Sequence, residues 1–147
     1  MRFMVIMYPG AKAEAGFQPE ATEETTRKLA EMGAFNEALV NAGVMLSGEG
    51  LHPTSAGARV RFSGGKPMIS DGPFTEAREI VGGFWLWQCK DLDEAKAWVS
   101  RCPADDDQMI EIRRVYEAAD FGEAFTPELQ EAEERLRATA AEQAARR

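Results

Sequence analysis

The sequence predicts an α+β fold: a sheet covered on one face by two helices, followed by a separate C-terminal helix. Three observations carry this. Arg2–Tyr8 and Phe84–Cys89 are short runs with bulky apolar residues on both alternating faces, the pattern of interior strands. Two longer stretches carry apolar residues at steps of three and four, the spacing of helices with one buried side. The elements follow in the order strand, helix, hairpin, strand, helix, strand, helix. Two main helices cover only one face of such a sheet, so the other needs a lid. A second copy of the same sheet supplies one, which predicts a two-fold homodimer with sheets face to face. The alternative is that the C-terminal helix folds back, but its two leucines make a poor cover for Trp and Phe side chains.

In strand one, Phe3, Val5 and Met7 oppose Met4, Ile6 and Tyr8. A Gly/Pro/Ala loop leads to Pro19 as a first helical position, with Glu20, Glu23 and Glu24 where a helix N-terminus favours acids. The helix runs to about Ala42 with Leu29, Met32, Phe35, Leu39 and Ala42 as its buried stripe, and Gly43 stops it. The stretch VMLSGEGLHPTSAGA reads as an irregular connection opening with a short extended piece. ARVRF, SGGK and PMIS then form a hairpin with one wet face at a sheet edge. Asp91 and Glu94 suggest a capping box for a second helix, with Leu92, Ala95, Trp98, Val99 and Cys102 buried and Pro103 ending it. A last strand, Met109 to Tyr116, turns Ile110 and Ile112 inward, and Arg113-Arg114 marks a bulge. Thr126 as N-cap and Pro127 open the C-terminal helix, with a narrow stripe of Leu129, Ala132, Leu136 and Ala140.

The totals narrow the function classes. A chain of 147 residues, 44% hydrophobic and 29% charged, is one folded domain's worth. Its formal net charge of −8, with no basic stripe, disfavours nucleic acid. No apolar run approaches membrane-spanning length, and the N-terminal run is too short for a signal segment, so a cytosolic, reduced protein is expected. Cys89 and Cys102 have no metal-type spacing, and one His with two separated Cys makes no structural zinc set. Neither phosphate-cradling glycine motif is present. No cofactor is therefore expected.

Two loops hold the candidate chemistry. His52, the chain's one histidine, sits in SGEGLHP beside Ser47 and Glu49, and histidine is the side chain best suited to proton transfer near neutral pH. Asp71 closes a hairpin strand and opens Asp71-Gly72-Pro73-Phe74, where a carboxylate can point into a cleft. An Asp71–His52 acid–base pair is one reading, with Ser47, Glu49, Pro73, Phe74 and Glu76 lining the substrate. The structural reading stands beside it: Asp71 accepts from a following backbone N–H, Phe74 being the natural donor because Pro73 has none, and Gly72 answers the steric demand before proline. In that reading His52 is a surface or half-buried histidine whose following Pro53 sets the loop. Glu76 is better explained by a solvated helical face. Trp85, Trp87 and Trp98 read as core and interface residues.

At GEGLHP, DGPFTEARE, GGFWL and DLDEAKAWVSRCP the chain resembles the YCII-related family, in the branch named for its DGPF motif. The resemblance implies a ferredoxin-like domain over residues 1–120 that pairs into a dimeric α+β barrel, with residues 121–147 as a helical extension. It also implies a site with an Asp and, in several relatives, a His partner; one relative is similar to a dehydrochlorinase of a chlorinated hydroxyquinol. Many members carry a His soon after the Cys-Pro that ends the second helix. Here Cys102-Pro103 is followed by Ala104 and three aspartates, so only His52 remains. Two functions are thus expected to compete. One is a homodimer binding a small organic molecule for lyase- or hydrolase-type chemistry at Asp71 and His52; the other is a non-catalytic accessory protein, such as one associated with an extracytoplasmic-function sigma factor.

Overall fold

The computed structural model describes residues 1–10, 21–74 and 80–146, in an α+β arrangement of antiparallel sheets and helices. The chain divides into two compact units, Met1–Val115 and Tyr116–Arg147. The first holds strands β1 (Arg2–Tyr8), β2 (Met45–Gly50), β3 (Ala58–Ser63), β4 (Lys66–Asp71), β5 (Gly83–Gln88) and β6 (Met109–Arg114), with helices α1 (Glu23–Asn41) and α2 (Leu92–Val99). Four strands form one antiparallel sheet in the order β2-β5-β1-β6. The two strands that read as apolar on both faces, β1 and β5, are its centre.

One face of this sheet is closed. Phe3 and Val5 of β1 and Trp85 and Trp87 of β5 pack with Phe35 and Leu39 of α1 and Ala95 of α2, while Ile110 and Ile112 of β6 join from the side. Phe35 meets Trp85 edge-on at 6.3 Å between ring centroids, a favourable aromatic geometry. The Trp85 indole N–H donates to Asn36 Oδ1 at 3.0 Å, giving a polar group inside an apolar layer its partner. On the other face the register aligns Glu49, Phe84, Ile6 and Glu111 in one cross-strand row and Ser47, Leu86, Met4 and Arg113 in the next. This face is apolar in the middle and charged at both edges, and neither α1 nor α2 covers it.

Several local expectations change. Thr22, not a residue near Pro19, caps α1: its Oγ1 accepts from the Thr25 N–H at 3.1 Å, and Pro19 and Glu20 lie outside the described residues. Leu29 is 63% exposed and Leu92 43%, so neither belongs to a buried stripe, and Ala42 is exposed as well. Spacing finds a helix's apolar side but not the width of the strip its neighbour covers. Gly43 does stop α1: at φ +69 it lets the Val44 N–H reach back to the Leu39 carbonyl at 2.9 Å. The Asp91 cap holds too, its carboxylate accepting from the Glu94 N–H at 2.9 Å. The connection after Gly43 is a full edge strand, β2, and the sheet's irregularity falls there, between Met45 and Ser47, while Arg113 and Arg114 stay in register.

The hairpin is the largest departure. β3 and β4 form their own two-stranded sheet, separate from the four-stranded one, with both faces exposed throughout. In the second unit a 3-10 segment, Ala118–Ala124, precedes α3 (Pro127–Ala145). Tyr116, Phe121 and Phe125 stack in series at 5.2 and 5.8 Å, and Thr126 caps α3 by accepting from the Leu129 N–H at 3.4 Å. The expected boundary at 120/121 falls within that 3-10 segment.

Candidate functional site

Glycines open the end of the main sheet. Gly50 of β2 and Gly83 of β5 are direct cross-strand partners, so no side chain fills that end of the pair. A Cβ on Gly50 would meet nothing within 4 Å. Two adjoining cavities result, sharing Met7, Gly50 and Gly82. One, of about 250 Å³, is walled by Pro9, Leu51, Ile80 and Val81, with His52 and Gln108 as its polar side chains. The other, of about 220 Å³, runs past Gly48, Gly83 and Phe84 to Glu49 and Asn36. An apolar wall with a few converging polar groups is the ordinary make-up of a small-molecule site.

The polar groups are partly committed. Gln108 Oε1 accepts from the Asp105 N–H at 2.9 Å and Asn36 Oδ1 from Trp85, which leaves an amide NH2 of each to orient a ligand. His52 is exposed, and among the described residues its imidazole has no hydrogen-bond partner.

The Asp71-Gly72-Pro73-Phe74 turn is hydrogen-bonded to the loop that follows His52. The Phe74 N–H donates to Thr54 Oγ1 at 3.0 Å, and the Gly72 N–H to the Gly57 carbonyl at 2.9 Å. The expected donation from Phe74 to Asp71 is therefore replaced by one to Thr54, and Asp71 caps no described residue. Gly72 has a stronger reason than the proline after it: a Cβ there would stand 1.8 Å from the Thr54 carbonyl oxygen. Arg59 lies over the Phe74 ring at 4.2 Å. The turn thus fixes the 3-10 segment Thr54–Ala56, which begins two residues after His52.

The sequence-predicted residues separate into groups. His52 lines the larger cavity and Glu49 the smaller, whereas Asp71, Pro73 and Phe74 line neither. Asp71 is exposed, and its carboxylate has no partner among the described residues. Ser47 lies on the open sheet face beside Leu86, and Glu76 lies outside the described residues. Asn36 and Gln108 were not singled out in the sequence, because a lone amide on a helix or before a strand carries no motif.

On the open face Tyr8 donates to Glu111 Oε2 at 3.0 Å, and that bond raises the phenol's pKa. Among the described residues no group of three His, Cys, Asp or Glu is arranged to hold a metal ion. Both cysteines are free thiols; burial pushes Cys89 up from its ordinary value and Cys102 up to about 11. Neither suits nucleophilic catalysis near neutrality. Both are expected to resist a thiol reagent at pH 7 to 8 until the chain unfolds, as alkylation followed by mass spectrometry would report. An unfolded Cys102 loses its proton near 9.0 and the folded one only near 11, so the unfolded chain binds fewer protons between them. This thiol's contribution to stability should fall as pH rises through that window.

The profile of the YCII-related domain matches residues 1–119. The chain belongs to the YCII-related family. An uncharacterised protein of Rhizobium meliloti (strain 1021) is 40% identical to this YCII-related chain over 73 residues, 50% of the chain and 59% of the relative. The chain thus spans less than two thirds of that relative's length. Among solved structures, 5-chloro-2-hydroxyhydroquinone dehydrochlorinase from Burkholderia phenoliruptrix AC1100, in complex with 2,5-dihydroxybenzoquinone, is similar with a TM-score of 0.41 and 14% identity, covering 81% of this chain and 98% of that one. No helix among the described residues is long and apolar enough to cross a membrane.

Proposed function

We propose that this YCII-related chain is a homodimer that binds a small organic molecule in the glycine-walled cavities and moves a proton on it, in lyase- or hydrolase-type chemistry. The observation that carries this reading is the apolar cavity of about 250 Å³ with the chain's one imidazole at its wall. His52 is the acid–base group, and Gln108 and Asn36 orient the ligand. Asp71 is the carboxylate that completes the pair, supported by its having no partner among the described residues. The strand order β2-β5-β1-β6 with two helices on one face supports a ferredoxin-like domain, and the face bearing Met4, Ile6, Phe84 and Leu86, which neither α1 nor α2 covers, supports pairing with a second sheet. A non-catalytic binding protein is the second reading. It is favoured by one observation: Asp71 does not line the cavity that His52 lines.

A thermal-shift screen with small neutral ring compounds, followed by product analysis of the hits, tests both readings. His52→Gln is expected to leave ligand binding nearly intact and to lower turnover roughly 10²- to 10⁴-fold, the usual worth of a positioned acid or base. Binding without turnover in the parent selects the second reading. Hits that stabilise the parent and His52→Gln equally, and are displaced by no change at Gly50 or Gly82, would place the ligand elsewhere.

A further inference from the structure

We propose that the β3–β4 hairpin is an arm that docks on a second copy of this chain, apolar side inward, and carries Asp71 into the contact. This rests on the homodimer reading above. The register pairs Val60 with Ile69 and Phe62 with Pro67, so these residues form one apolar side, and Ala58 opposite Asp71 puts the carboxylate at that side's end. Phe62 is 75% exposed and Ile69 71%. A lone two-stranded hairpin is marginal in water, and this one is exposed along both strands among the described residues.

The other side of the hairpin carries Arg59, Arg61 and Lys66. No acidic residue lies between Ala58 and Ser70, and Arg61 and Lys66 have no carboxylate partner among the described residues. This is a cationic arm on a chain of net charge −8, which selects its occupant. An anionic lipid surface or nucleic acid would be repelled by the body that bears the arm. A second copy offers an acidic body, with Glu49, itself without a cationic partner among the described residues, at the edge of the paired sheets where an arm can reach it. A two-fold axis satisfies both arms at once. Asp71, which shares no cavity with His52 in its own chain, then acts in a site the second copy completes.

Sedimentation equilibrium of the full chain tests this with three proteins: the parent, Phe62→Glu/Ile69→Glu, and Leu86→Glu as a change on the open sheet face. The hairpin variant is expected to raise the dimer dissociation constant roughly tenfold or more, as when an apolar anchor is lost from an interface. Its circular dichroism should match the parent's, because both positions are exposed. Arg61→Glu/Lys66→Glu is expected to weaken the dimer and to remove much of its salt dependence. A dimer unaffected by the hairpin changes but dissociated by Leu86→Glu overturns the arm and leaves the homodimer standing. A parent that stays monomeric at every concentration overturns both.

Discussion

Trp87→Ala is expected to lower the unfolding free energy by about 3–5 kcal/mol, the usual cost of truncating a buried large aromatic. Trp87 is fully buried at the middle of the sheet, 6.4 Å from Phe35 and 6.0 Å from Trp85 between ring centroids, so its loss opens a hole that three elements border. Against a total stability of roughly 5–15 kcal/mol for a domain, this approaches unfolding at moderate temperature. Urea titration followed by tryptophan fluorescence or circular dichroism reads it directly. Trp87→Phe should cost far less, because the indole N–H has no partner among the described residues and its removal relieves a buried orphan donor. A change below about 1 kcal/mol for the alanine variant, with an unchanged denaturant slope, would contradict the core assignment.

Gly72→Ala is expected to cost about 1–3 kcal/mol or more, as overpacking against rigid surroundings does. The obstacle is the Thr54 carbonyl oxygen, 1.8 Å from where the Cβ would stand, and a backbone oxygen cannot rotate aside as a side-chain tip can. Thr54→Val removes the acceptor of the Phe74 N–H and should cost about 1 kcal/mol or more. Asp71→Ala, in the same turn, should change stability by no more than about 0.5 kcal/mol, since its carboxylate makes no structural bond among the described residues. That ranking separates architecture from function within four consecutive residues. Gly72→Ala should also weaken ligand binding at the proposed site beside His52, because the turn holds the segment that follows the histidine. A midpoint lowered more by Asp71→Ala than by Gly72→Ala would show that the carboxylate supports the fold.

Asp71 and His52 stand in the sequence as titratable side chains on two loops, and the fold does bring those loops together, through Thr54, Gly57, Gly72 and Phe74. The contact is made by backbone and a hydroxyl, not by the candidate pair. Residue type indicates which groups can move protons, but only the path of the backbone decides which groups share a cavity. Asn36 and Gln108 illustrate the converse. Their amides reach the cavities because α1 and the loop before β6 end up beside the glycine-rich end of β2 and β5.

Much of the architecture follows from local sequence because local physics specifies it. The alternation in β1 and β5, the Thr126 and Asp91 caps and the Gly43 stop each act over a few residues, and each appears where the chain's own chemistry puts it. Buried strands must be apolar on both faces, so Phe3 to Tyr8 and Phe84 to Trp87 were legible as the sheet's centre. What the sequence could not decide depends on contacts between distant segments. A hairpin pattern is the same whether the strands join a larger sheet or stand apart, so the isolation of β3 and β4 became visible only in the fold. Leu29 fits a helical stripe equally whether α1 is covered broadly or narrowly, and the sheet covers it narrowly. Gly72 reads as a turn residue in one dimension, while the reason it must lack a side chain is an oxygen on a residue eighteen positions earlier. Periodicity and capping are properties of the chain's own geometry; close approach belongs to the tertiary structure, because it is set by which remote atom arrives.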